Sequence, residues 1–366
     1  MERVTWNQTL SNYHNMNFQP NNRVQKLSIK QNLSGKGIRV ELSNQFDAIP
    51  LKVKMIHFSL SADFKTFYSL TFNKQKSFII RANHKIWTDK LAIDIPLKAE
   101  LFFRIEVENE LNLLATSANL QSNKIIDSNI QNEYTFIYAF TSVIIDTTHK
   151  TKTIGFFGDS LTNQAHFSDQ ILQNLYDTAD YISGFNAGIS GNRLLLPGTA
   201  KSEWRDSFGE AGINRFRSHV LNYRPNIIVS LIGINDLFHP GTGCFLSELP
   251  TAKEMIAGYR ALYNEAAANN ACLIVLTLPP FANSSNQNKP AWSQEKENIR
   301  LAVNEWIRSQ PYSIDIANFL ADRNDHTLLN PQFDCGDHLH FSQQGGEKLG
   351  NYITSELQIK GELSYE

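Results

Sequence analysis

The sequence predicts two domains of different class, an antiparallel β-sandwich or jelly roll over residues 1–150 and an α/β domain over residues 151–366. Three observations carry this. Apolar and polar residues alternate with period two in the first part, whereas in the second part apolar strand-like runs alternate with segments of helical period. The pattern changes at the polar stretch Thr147-Thr148-His149-Lys150-Thr151. A chain of 366 residues is also too long for one α/β unit of ordinary size.

In the first domain, Ile38-Arg39-Val40-Glu41-Leu42-Ser43 and Leu101-Phe102-Phe103-Arg104-Ile105-Glu106-Val107 read as half-buried strands. Turn clusters such as Ser34-Gly35-Lys36-Gly37 and Asp47-Ala48-Ile49-Pro50 separate the short runs, as in a sandwich or jelly roll. Trp6, Phe46, Phe58 and Phe103 read as core residues rather than as a carbohydrate platform. In the second domain, Ile154-Gly155-Phe156-Phe157, Ile227 to Ile232 and Cys272 to Leu276 read as buried strands. Ile256 to Ala268, Glu295 to Arg308 and Gln344 to Leu357 carry helical spacing. In an open parallel sheet the site lies at the carboxyl ends of the strands.

Four segments at such positions carry chemistry. Gly158-Asp159-Ser160-Leu161 places a hydroxyl where a buried strand turns into a helix whose free N–H groups face any oxyanion formed above Ser160. Gly188-Ile189-Ser190-Gly191-Asn192 has two glycines that let a backbone N–H point into a cleft. Gly233-Ile234-Asn235-Asp236 follows a strand and offers the Asn235 carboxamide as a further oxyanion donor. In Asp337-His338-Leu339-His340, a carboxylate three residues before an imidazole reaches its Nδ1–H and leaves Nε2 free to face the serine.

This ordered set resembles the SGNH (GDSL-type) hydrolases, whose marker residues Ser, Gly, Asn and His would be Ser160, Gly191, Asn235 and His340. The resemblance runs from about Thr151 to the C-terminus, and the whole chain is similar to a subset with an N-terminal β-rich domain. It implies a flavodoxin-like three-layer α/β/α sandwich with a parallel sheet. It also implies a carboxylic ester hydrolase with a Ser160, Asp337 and His340 triad and an oxyanion hole made by Ser160, Gly191 and Asn235. Phe341 departs from the pattern, standing where the family usually has proline. The short interval from Asp337 to His340 separates the chain from α/β-hydrolases, whose acid lies far from the histidine.

Competing readings remain for single residues. Asn235 is also a candidate helix cap, and Gly188 and Gly191 candidate tight-loop residues. Asp337, His338 and His340 could ligate zinc, although no further ligands at suitable spacing complete a shell. With Asp337 facing His340, His338 is expected to point elsewhere. Asp159 is read as stabilising its turn through local backbone hydrogen bonds, and Asn192 and Arg193 as solvated loop residues.

Composition fits a globular enzyme: 42% apolar, 19% charged, net charge −2 and no basic stripe for nucleic acid. No stretch approaches the roughly 18 apolar residues of a membrane span, and the start lacks a signal-like apolar run, so the expected location is the cytoplasm. Cys244, Cys272 and Cys335 lack metal-ligand spacing and read as unpaired thiols, a reversible Cys244–Cys335 disulfide being the alternative. No metal or organic cofactor is implied. The expected activity is hydrolysis of acetyl to butyryl esters, including acetylated carbohydrate, with no nucleic-acid or membrane partner. An acyltransferase to a sugar hydroxyl with the same residues, and a non-catalytic carbohydrate-binding protein, are the alternatives.

Overall fold

The computed structural model describes residues 1–16, 23–111, 113–119, 125–127, 129–131, 134–198, 204–359 and 361. The chain divides into two compact units, Met1–Thr153 with Tyr176–Asn186, and Ile154–Leu175 with Ala187–Glu366.

The first unit is a β-sandwich of antiparallel sheets. One has the order Glu2–Asn7, Phe140–Asp146, Ile38–Asn44, His84–Trp87; the largest runs through Val24–Ile29, Leu101–Glu108 and Leu51–Ser59. Aromatic side chains fill its interior because they bury the most apolar area per ordered side chain. Phe103 lies 5.3 Å from Phe58 and 5.0 Å from Phe140 between ring centroids, and Trp6 lies 5.7 Å from Phe140, so one cluster joins the two sheets. Trp6, Phe58 and Phe103 are core residues as expected, while Phe46 is only half-buried. Within this unit Asn32 is fully buried; its Oδ1 accepts from Ile182 N at 3.0 Å and its Nδ2 donates to Ala179 O at 3.0 Å.

In the α/β part, strands β1 (Lys152–Gly158), β2 (Ile182–Gly188), β3 (Ile227–Leu231), β4 (Cys272–Leu276) and β5 (Ser313–Ile314) form one sheet of order 2-1-3-4-5. That is the flavodoxin-like order, whose switch point falls beside β1. The pairs β1–β3, β3–β4 and β4–β5 are parallel. These strands are almost wholly apolar because helices cover both faces. The helices are α1 (Ser160–Asn163), α2 (His166–Thr178), α3 (Gly212–His219), α4 (Ile234–Phe238), α5 (Ala252–Ala268), α6 (Gln294–Arg308), α7 (Ile316–Leu320) and α8 (Gln343–Ile359).

Two consecutive phenylalanines of β1 show the three layers. Phe156 meets Phe167 of α2 on one face at 6.2 Å, and Phe157 meets Phe216 of α3 on the other at 5.1 Å. On the first face α8 packs on α2 through small residues: a Cβ on Gly346 would lie 2.3 Å from His166 Cβ, and one on Gly350 2.6 Å from Gln170 Cβ. On the second, the Tyr259 ring of α5 stacks on Trp306 of α6. Helix starts follow local chemistry. Thr251 and Glu254 make a capping box that starts α5 four residues before its apolar periodicity becomes visible, and Ser293 caps α6. No helix among the described residues is long and apolar enough to cross a membrane.

Candidate active site

The turn that carries Ser160 is fixed by crowding. A Cβ at Gly158 would lie 2.2 Å from Leu231 O and 2.1 Å from Thr162 Oγ1, so only glycine fits between β1 and α1. Asp159 caps α1, its Oδ1 accepting from Leu161 N at 3.0 Å, which is the local bonding expected of it. Ser160 is the first residue of α1 and 8% exposed, and its N–H is one of those a helix start leaves without an intrahelical acceptor.

The 333–342 loop brings the other two groups. Cys335 N donates to His340 O at 3.0 Å and Ser342 N to Phe333 O at 2.8 Å, closing the loop as a bridge between Asp334 and Phe341. Phe341 itself is 1% exposed, so burial of its ring anchors the turn where the family usually has proline. Ser342 then caps α8 by accepting from Gly345 N at 3.0 Å. His340 Nδ1 lies 2.6 Å from Asp337 Oδ2, and His340 Nε2 lies 2.8 Å from Ser160 Oγ. Asp337 Oδ1 also accepts from the backbone N–H of Leu339 (2.9 Å) and His340 (2.7 Å). Partial burial opposes ionisation of Asp337, but the bonds from the His340 imidazole and from the two amides outweigh it and hold the carboxyl well below the usual range.

Gly191 adopts φ +75, and a Cβ there would lie 2.1 Å from the Phe208 ring. Gly188 has a different reason from the loop freedom expected: it ends β2, where a Cβ would lie 2.4 Å from Asn163 N. Asn235 is not the cap of its helix, since Gly233 at φ +119 holds that place. Asn235 is buried, and its Nδ2 donates to Asn192 O at 3.1 Å, which leaves the second amide proton for another acceptor.

The expectation of solvated side chains at Asn192 and Arg193 is corrected. Asn192 is fully buried and donates to Phe208 O and Glu210 O, both at 2.7 Å. Arg193 is 2% exposed and pairs with Glu248 at 2.8 Å. Both are held because the glycine loop turns back over the protein, where unpaired polar groups would be costly. Asp236 helps to hold it: its carboxylate accepts from Leu194 N at 2.6 Å and Leu195 N at 3.0 Å, and burial pushes its pKa up to about 6 against those bonds.

Two residues escaped sequence reasoning. Arg215 of α3 is fully buried; it donates to Gly158 O (2.7 Å), Ala187 O (2.7 Å) and Asn192 Oδ1 (2.8 Å), and stacks on Phe157 at 4.5 Å. Nothing in its helical sequence distinguishes it from a surface arginine. His239 Nε2 lies 3.1 Å from Gly191 O, and its ring stacks on Phe208 at 4.8 Å. A signal existed here, because His239 stands one helical turn after Asn235 and so faces the same loop. Burial lowers the pKa of His239 to about 4, so at neutral pH it is an uncharged donor to Gly191.

Asp337, His338 and His340, the competing zinc reading, do not converge as a metal set. His338 turns away at φ +63 and pairs with Asp334 at 2.9 Å. Among the described residues, the metal-competent cluster is Asp334, Cys335 and Asp337, without a histidine. Cys244, Cys272 and Cys335 form no disulfide in the structure.

A flavodoxin-like sheet with serine, imidazole and carboxylate bonded in series at its switch point is the architecture of an SGNH-class hydrolase. The chain belongs to the GDSL-like Lipase/Acylhydrolase family, which matches residues 156–348, and is an ester-hydrolysing enzyme. Solved structures similar to it include a GDSL-like lipase from Bacteroides thetaiotaomicron VPI-5482, with 18% identity over 57% of this chain and 88% of that chain and a TM-score of 0.43. A lipase/acylhydrolase from Enterococcus faecalis shows 22% identity over 59% and 99%, with a TM-score of 0.42. An acetyl xylan esterase shows 17% identity over 56% and 99%, with a TM-score of 0.37. No curated protein matches the chain.

Proposed function

We propose that the protein is a serine esterase for short-chain acyl esters, acetyl to butyryl, including acetylated carbohydrate, acting through an acyl-enzyme on Ser160. The observation that carries this is the continuous series Asp337 Oδ2, His340 Nδ1 and Nε2, Ser160 Oγ, at 2.6 and 2.8 Å. His340 Nε2 takes the Ser160 proton as Oγ attacks the ester carbonyl, while Asp337 fixes the tautomer and stabilises the imidazolium. The N–H groups of Ser160 and Gly191 and the free amide proton of Asn235 receive the oxyanion. His340 returns the proton to the leaving alcohol, and water, deprotonated by the same imidazole, releases the acid.

Ser160→Ala tests the reading. Hydrolysis of 4-nitrophenyl acetate should fall to the background rate with far-UV circular dichroism unchanged, and no acetylated protein should accumulate in quenched samples. Retention of more than a few per cent of activity removes Ser160 from the nucleophile role. Product analysis with a sugar acceptor present separates hydrolysis from acyl transfer.

A further inference from the structure

Lys296 is a buried charge that the triad does not use. It stands in the first turn of α6, is 4% exposed, and among the described residues no carboxylate pairs with it. Its neighbour Glu297 is taken by Arg300 at 2.6 Å, and Glu295 is exposed. The placement is costly twice over, since an unpaired charge is removed from water and a cation lies at the positive end of a helix. Burial lowers its pKa to about 8, which still leaves an ammonium at neutral pH.

The two bonds of this ammonium show what it holds. Lys296 Nζ donates to Pro240 O at 2.7 Å and to Ala291 O at 2.6 Å, short distances of the kind a charged donor makes. Ala291 follows the hairpin of Ser285–Asn286 with Lys289–Pro290. Pro240 opens a turn wound on His239, whose carbonyl accepts from Thr242 N (3.0 Å), Gly243 N (2.7 Å) and Cys244 N (3.1 Å). Lys296 thus fastens that turn to the hairpin from the core side.

His239 immediately precedes Pro240, and its Nε2 lies 3.1 Å from Gly191 O. Its buried Nδ1 has no hydrogen-bond partner, so no second hydrogen bond steers the ring. Whether Nε2 reaches Gly191 therefore depends on where the backbone at 239–240 sits, and the ammonium grips that backbone. Burial first, then the charges of Arg193 and Lys296, keep the ring uncharged against the pull of the Gly191 bond.

We propose that Lys296 is a positioning residue for ester hydrolysis: through Pro240 its ammonium seats His239 against Gly191 and so sets the oxyanion loop from a helix outside the triad. The proposal rests on ester hydrolysis at Ser160 with Gly191 as an oxyanion donor. Its own demand is that Lys296 and His239 act in series.

Lys296→Met keeps the reach of the side chain and removes its charge and donors. With 4-nitrophenyl acetate, kcat should fall about 5–10-fold while KM stays within about twofold, because the displaced loop serves the transition state and not the bound ester. His239→Leu breaks the same series further along, so the double variant should be no slower than the slower single variant. Lys296→Gln, with amide donors but no charge, should lie between wild type and Lys296→Met, and it carries the same comparison should Lys296→Met fail to fold. A lysine with a merely structural role would lower the urea midpoint and leave kcat of the folded protein unchanged. That result, or losses that multiply in the double variant, overturns the proposal. A wild-type protein that leaves 4-nitrophenyl acetate intact overturns the esterase reading instead.

Discussion

Asp159 makes a test in which the sign of the effect is fixed beforehand. The side chain is fully buried, one carboxylate oxygen caps α1 and the other, Oδ2, has no partner. Burial, only partly offset by the Leu161 amide and the nearby charges of His340 and Arg215, pushes its pKa from 3.8 up to about 7. The folded state therefore prefers the neutral acid. Its stabilising contribution is complete below pH 3.8 and is lost progressively as pH rises to about 7. Above that, the ionised group costs the fold on the order of 4 kcal/mol, taking 1.36 kcal/mol per pH unit of displacement. Asp159→Asn keeps an oxygen for the Leu161 amide and abolishes the charge. Urea unfolding at pH 8 and pH 4.5 should show the variant gaining stability over wild type at pH 8, by about 2–4 kcal/mol, with most of the gain gone at pH 4.5. A difference that is the same at both pH values, or a larger gain in acid, refutes the reasoning.

Asn235→Ala should lower kcat by roughly 10²–10³ with a smaller change in KM, as for loss of one oxyanion donor; unfolding of the variant by circular dichroism would show the Asn192 bond to be its main task. His239→Gln should keep most of kcat because its amide reproduces the donor to Gly191, whereas His239→Leu should lower kcat about tenfold, and equal losses in both would remove the hydrogen bond from the explanation. Arg215→Met should destabilise the protein by about 3–5 kcal/mol in urea unfolding, since three buried acceptors lose a charged donor, and a loss under 1 kcal/mol would contradict that count. Asn32→Ala should cost about 2–3 kcal/mol because the buried Ile182 amide and the half-buried Ala179 carbonyl lose their partner, measured in the same way.

What could be read from residues alone was whatever is local in sequence. Asp337 and His340 are three apart, and Ser160 follows a strand whose apolar run announces itself, so the triad candidates were legible before their distances were known. The β1, β3 and β4 strands and the helices α5, α6 and α8 were legible from period and length. Side chains whose burial depends on distant chain were not. Arg215 looks like any helical arginine until β1, β2 and the glycine loop converge on it, and Asn192 and Arg193 look like loop polar groups until Phe208 and Glu248 close over them. Gly188 was recognised as necessary for the wrong reason, because close approach to α1 is a property of the packed sheet and not of the loop sequence.

The three carbonyl and carboxamide oxygens that meet at Arg215 belong to the end of β1, the end of its neighbour β2 and the loop that carries Gly191. Fastening them to one planar group ties the strand end before Ser160, the end of β2 and the loop that carries Gly191 to a single side chain. Catalysis depends on the separation of these parts from each other and not on their absolute positions. A guanidinium, with donors fixed in one plane, conserves those separations better than a flexible ammonium would. One side chain on α3 thereby sets the spacing between the Ser160 turn and the Gly191 loop.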